Sequence, residues 1–120
     1  MDRLMAAHLV ALAGRGLLAL LFVLAGITKL AGPKPFLAHM AELHVPGLLL
    51  PAVALFEIGA GLALLAGWNT LIAAGALSLF CVATAIVFHR NFAERAERTQ
   101  FIKDIALAGA LAFVAAGTIT

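Results

Sequence analysis

Six ionisable residues of this 120-residue chain stand inside or at the edges of long apolar runs: Arg15, Lys29, Glu57, His89, Lys103 and Asp104. Glu57 is the deepest. It lies near the middle of Leu48–Gly67, a stretch of 20 residues with no other charge. A helix of about that length crosses ~30 Å of hydrocarbon. An acid at that depth costs about 2.5–3.5 kcal/mol on insertion scales, so it needs a partner or a task. Arg15 is the expected partner, which makes Arg15 and Glu57 a buried ion pair. Lys29, His89, Lys103 and Asp104, with Asn91 close by in sequence, form a second group at one end of the spans. Cations and acceptors gathered there can hold an anion or a polar headgroup such as that of a quinone. Each also has a plainer explanation. The lysines can snorkel to the interface, and the charged form of His89 suits a helix C-terminus.

Other chemistry is excluded by what the chain lacks. Cys81 is the single cysteine, so there is no internal disulfide and no thiol relay. No CxxC and no Cys/His ligand spacing occurs, so no metal site is expected. His89 has no CxxCH motif and no evident second axial ligand, which leaves haem without a site. No cofactor is expected within the chain itself, though a quinone can be bound.

These residues must be positioned by transmembrane helices. The chain is 64% hydrophobic and 12% charged, against about 25% charged in soluble domains. It reads as one transmembrane domain over residues 1–120, an all-α antiparallel four-helix bundle. The net charge of +2 is carried near the ends of the spans, as a topology signal and not a nucleic-acid surface. The first span, about 9–30, is too long and too interrupted by Arg15 for a cleaved leader, and reads as a retained helix. Arg15 and Lys29 are fourteen positions apart, about four turns, and share a stripe with Phe22 and Gly26. The loop after it holds Pro33, Pro35 and Pro46. Phe36, Leu37, Met40 and Leu43 follow a helical period there, with His39 and Glu42 off that face. That pattern predicts a short amphipathic interfacial helix between the first two spans, as a connector or as a lid.

The second span, about 48–67, carries Glu57, Gly61, Leu64 and Trp68 on one face. Its series Gly59, Ala63, Gly67 predicts close approach by another helix. The turn after it is tight, so the third span, about 71–88, runs back alongside. Ser78, Val82, Ala85 and His89 follow one face of that span. The charge-dense segment after His89 reads as a solvated loop. The fourth span, about 105–120, has a small-residue stripe at Ala108, Ala112 and Ala116, which closes the bundle or meets a second copy.

Four crossings put both termini on one side. Lys34, Arg90, Arg95 and Arg98 lie in the first and third loops, with Lys29 and Lys103 beside them. The other side offers Arg3. The positive-inside rule places the basic loops in the cytoplasm and both termini outside it. Arg15 is then about six residues into its span and Glu57 about ten from the end of its own, depths of ~9 and ~15 Å that an arginine can bridge.

Four segments carry a family resemblance: RGLLALLFVLAGITKL from Arg15, FEIGAGLALLAGW from Phe56, VFHRNF from Val87 and FIKDIALAGAL from Phe101. Together they resemble the DoxX family of small four-helix bacterial membrane proteins, over nearly the whole chain. Asp104 departs from the pattern, since members often carry Asn there. The resemblance implies a bacterial inner (plasma) membrane location and points to Arg15, Lys29, Glu57, His89 and Lys103 without giving their roles. It also implies association with membrane redox complexes, including quinone-linked sulfur oxidation.

Three functions fit. The first is an accessory or quinone/lipid-binding component of a membrane redox assembly, not a self-contained enzyme, with other redox subunits, the bilayer or a second copy of itself as partners. The second is a structural or chaperone-like interaction protein whose ion pair only fixes helix register. The third is a small transporter, disfavoured because the acid sits in the second helix and the loop charges are strongly biased.

Overall fold

A computed structural model describes residues 2–89 and 91–119. Arg90, counted above among the basic loop residues, and Thr120, the end of the fourth span, lie outside the described residues, as does Met1. Five helices follow in order: α1 Arg3–Ala31, α2 Lys34–Glu42, α3 Leu49–Ala66, α4 Thr70–Phe88 and α5 Arg95–Gly117. No strand occurs among the described residues. All but α2 are long and apolar enough to cross a membrane. The short helix expected between the first two spans is α2, with Pro35 in its first turn where a missing N–H is harmless.

The helix ends follow local chemistry. The Asp2 carboxylate accepts the Met5 amide at 2.7 Å and caps α1. That cap starts α1 six residues before the apolar run, and its 29 residues span ~43 Å. Gly67, at φ 75°, ends α3. The Trp68 and Gly67 amides donate to the Ala63 and Leu64 carbonyls, a Schellman closure. Asn69 is also left-handed, and α4 departs at once in the opposite direction.

The charge-dense segment corrects the sequence reading. It is not a loop throughout: Arg95 to Asp104 form the first turns of α5. Phe92 to Ala108 contain no Gly or Pro and are rich in Ala, Glu and Arg, which favour helix. Phe92 meets Phe101 edge-on at 4.9 Å, and Arg98 donates to the Phe92 carbonyl, which closes the α4–α5 turn.

The seams of the bundle recur at alternating steps of three and four. They are Arg15, Ala19, Phe22, Gly26 and Lys29 on α1, and Leu50, Ala54, Glu57, Gly61 and Leu64 on α3. On α5 the seam is Glu97, Phe101, Asp104, Ala108, Leu111 and Ala115. That spacing is the one that keeps a stripe facing a neighbour in near-antiparallel packing. α1 packs closely on α3 and α4 on α5, and α3 joins the two pairs. The core gathers Ala19, Phe22, Leu64, Leu77, Cys81 and Leu111 from all four long helices. The outward faces carry Leu17, Leu24, Leu55, Ile72, Leu79 and Phe113, as lipid contact requires.

Two glycines set the α1–α3 register. A Cβ on Gly26 would lie 2.6 Å from the Ala54 carbonyl oxygen and 2.5 Å from Ile58 Cγ1. One on Gly61 would lie 2.9 Å from Val23 Cγ2 and 3.1 Å from the Ala19 carbonyl oxygen. Gly59, expected in the close-approach series, has open space instead. On α5, Ala108 is buried while Ala112 and Ala116 face outward, because the seam steps through Leu111 and Ala115.

Candidate functional site

The polar residues converge at one end of the bundle, where α1 ends, α2 lies, α3 begins, α4 ends and α5 begins. Lys29 Nζ lies 2.6 Å from Glu57 Oε1. Glu57 is 3% exposed and is the one fully buried charged residue among the described residues. The ammonium also stands 5.4 Å from the centroid of the Phe36 ring on α2, a cation–π contact that covers it from the loop side. The Lys29–Glu57 contact is a short-range ion pair in the low-dielectric interior.

This corrects the expected Arg15–Glu57 pair. The Arg15 guanidinium instead packs at the C-terminal end of α3, 3.3 Å from where a Cβ of Gly67 would be. Gly67 is ten residues past Glu57, about 15 Å along the axis. The glycine register slides α1 past the end of α3, so Arg15 meets that end and Lys29 comes up to the acid.

The mouth residues divide. His89 and Asp104 come together, with Nε2 3.7 Å from Oδ2. Lys29 is within electrostatic range of Asp104, and Asp104 of Glu57. Asp104 Oδ2 is buried without a hydrogen-bond donor. Lys103 does not join them. It is exposed on the outer side of α5, beside Leu21, Ala106 and Leu107 in an apolar groove between α1 and α5. Adjacent helix positions point about 100° apart, so only one of Lys103 and Asp104 can face the seam.

Two residues, Glu97 and His39, enter the site that sequence spacing did not place there. Glu97 accepts from His89 Nδ1 at 3.1 Å through Oε2. His39, from α2, donates through Nε2 to the Phe88 carbonyl at 3.0 Å. The same nitrogen is 4.0 Å from Glu97 Oε1, and Nδ1 is 3.8 Å from Glu42 Oε2. The two imidazole rings lie nearly parallel, with centroids 6.1 Å apart. Deeper in, the Ser78 hydroxyl donates to the Ala108 carbonyl at 2.7 Å and ties α4 to α5. Glu97 was legible in principle: stepping back by three and four from Ala108 reaches Asp104, Phe101 and then Glu97. His39 was not, because its contact depends on how α2 folds against α4.

An open cleft of about 510 Å³ adjoins these groups, lined by His39, Val87, Phe88, Asn91, Glu94 and Glu97 among others. One donor atom from each of His39, His89 and Glu97 lies within 4.8 Å of the other two. The arrangement offers imidazole and carboxylate donors at a rim, with an ammonium and two carboxylates behind it.

A family model described as DoxX matches residues 10–90, a range that takes in Arg15, Lys29, His39, Glu57 and His89 and stops before Glu97 and Asp104. The chain is also 38% identical over 104 residues to the inner membrane protein YqjF of Escherichia coli (strain K12), covering 87% of this chain and 80% of that protein. No solved structure matches. With four membrane-crossing helices, a family match over most of its length and an inner-membrane relative, this chain is a multi-pass inner membrane protein that belongs to the DoxX family.

Proposed function

We propose that the protein is an accessory component of a membrane redox assembly that holds a quinone-class headgroup at the polar mouth of its bundle. The observation that carries this reading is the buried Oδ2 of Asp104, which has no hydrogen-bond donor and lies within electrostatic range of the Lys29 ammonium. A buried acceptor without a donor is costly, by about 1–3 kcal/mol. A quinol hydroxyl supplies the donor that Asp104 lacks, and the Lys29 ammonium suits a quinone carbonyl. The redox association itself rests on the family resemblance. In this reading the partner is another subunit of the assembly or a second copy, and Ala112 and Ala116, left outward on α5, are positions where a helix can approach closely.

The proposal includes an orientation. The α2 region and the α4–α5 turn lie at the same end of the bundle, joined by the His39–Phe88 bond. The basic loop residues are therefore on one side, and the positive-inside rule makes that side cytoplasmic, with both termini outside.

A purely structural role is the second reading. It is favoured by the Lys29–Glu57 contact lying one turn from the Gly26–Ala54 clamp, where a charge pair fixes helix register without any ligand. Mass spectrometry of protein purified in mild detergent from native membranes separates the two. Near-stoichiometric quinone that is lost in His89→Ala or Glu57→Gln, in samples that keep their helix content, supports the binding role. Bulk lipid alone, the same in all three samples, overturns it and leaves the pair as a staple.

A further inference from the structure

We infer that His39, His89 and Glu97 form a binding site for one divalent transition-metal ion of the zinc class, with Asp104 and Glu42 as outer carboxylates that orient the two imidazoles. The inference stands on its own geometry and does not depend on the quinone reading.

The donors come from three separate elements: α2, the end of α4 and the first turn of α5. Glu97 stands between the two rings, with Oε2 3.1 Å from His89 Nδ1 and Oε1 4.0 Å from His39 Nε2. Ligand atoms around a tetrahedral ion at about 2.0–2.2 Å are roughly 3.3–3.6 Å apart. Each spacing is to a different Glu97 oxygen: the one on the His89 side is close to that value and the one on the His39 side is longer. All three donors fall within 4.8 Å of one another, so side-chain adjustment is enough to close on an ion.

The second nitrogen of each ring is the stronger sign. His89 Nε2 faces Asp104 Oδ2 at 3.7 Å, and His39 Nδ1 faces Glu42 Oε2 at 3.8 Å. Each ring thus has one nitrogen toward Glu97 and the other toward a further carboxylate. A neutral imidazole has one N–H and one lone pair, so it cannot donate to two acceptors. A metal ion on the Glu97 side takes the lone pair and fixes the proton on the other nitrogen, where a carboxylate waits. This carboxylate–histidine–metal order is how proteins orient imidazole ligands. His39 then exchanges its bond to the Phe88 carbonyl for the ion. Three protein ligands leave a fourth position, and the adjoining cleft gives water or a small anion access to it.

The test uses the full chain in nanodiscs, stripped with chelator and titrated with Zn²⁺ by calorimetry and with Co²⁺ by its visible absorption. One ion per chain is expected, with the intense bands of a four-coordinate Co²⁺ site. Affinity should fall by ~100-fold or more in His39→Ala and Glu97→Gln, and by ~10–100-fold in Asp104→Asn. His8→Ala and His44→Ala should bind as the unaltered chain does. If Glu97→Gln fails to keep its helix content, His39→Ala on the separate α2 decides. Absence of stoichiometric binding, or affinity that survives His39→Ala, overturns the site. Asp104→Asn binding as tightly as the unaltered chain overturns the orienting role of Asp104. X-ray absorption of the Zn²⁺ form should show two imidazoles, and a spectrum without them also sinks the assignment.

Discussion

Lys29 and Glu57 meet at 2.6 Å although they lie on helices whose ends, taken from the apolar runs, do not put them level. Lys29 is two residues from the end of α1, while Glu57 is eight residues into α3. The lysine reaches back along α1 toward the bundle interior and delivers its charge to the acid. Both groups are largely withdrawn from solvent, with side chains 18% and 4% exposed. Removing one leaves the other charged and alone. Lys29→Met should therefore destabilise the bundle by about 3–5 kcal/mol, and Lys29→Met with Glu57→Leu should recover much of that loss. Unfolding in mixed detergent micelles, followed by circular dichroism, gives the comparison. A double variant no more stable than the worse single one would mean that the two charges are not coupled.

The α1–α3 contact depends on backbone approach at Gly26 and Gly61. At Gly26 a methyl group would meet Ile58 Cγ1 and, almost as close, the Ala54 carbonyl oxygen, which as backbone cannot rotate away as a side chain does. Gly26→Ala should cost about 1–3 kcal/mol through forced separation of the helices. Gly61→Ala meets Val23 Cγ2 first and should cost less within that range. Gly59→Ala enters open space and should be neutral or slightly stabilising. The same unfolding assay ranks all three, and a Gly59 effect as large as that of Gly26 would contradict the register described above.

This register is also why the sequence revealed the helices better than their pairings. Hydropathy marks the spans plainly, and the spacing of Phe36, Met40 and Leu43 marks α2. The stripe from Arg15 through Phe22 and Gly26 to Lys29 was legible because polar and small residues are rare enough to stand out. The inward face of α3 or α4 is harder to read. In lipid the outward face is apolar too, so no amphipathic contrast shows which side packs. Gly59 and Gly61 look alike as letters, and only packing tells which one a neighbour approaches. That one choice decides whether Arg15 or Lys29 reaches Glu57. Asp104 and His89 were readable as mouth residues because they end apolar runs. Glu97 was lost inside a segment whose charge density suggested solvent, although the seam of α5 runs through it.

Arg15 has a different task from the one its charge suggests. Its guanidinium lies against Gly67, where α3 leaves its last carbonyls. A cation there complements the negative end of the helix dipole, an effect of about 0.3–1 kcal/mol. Arg15→Gln should lose about that much and leave the Lys29–Glu57 contact intact. Gly67→Ala should lose more, about 1–2 kcal/mol, because the left-handed turn at φ 75° disfavours a Cβ. A loss for Arg15→Gln as large as that for Lys29→Met would restore Arg15 as a partner of the buried acid.

Orientation can be settled by moving charge as well as by tagging. The end of the bundle that carries Lys34, Arg95 and Arg98 has no comparable counterpart at the other end, where Arg3 lies on α1. A C-terminal fusion to alkaline phosphatase should be active in cells, and one to a cytoplasm-dependent fluorescent protein should be dark. The cause is tested separately. Arg95 and Arg98 are exposed on the first turn of α5, so replacing both with Gln removes loop charge without touching the core. Adding three lysines after the C-terminus in that background should convert part of the population to the fluorescent orientation. A C-terminus that reports as cytoplasmic in the unaltered protein would reverse the assignment and put the His39–His89–Glu97 rim on the outer face.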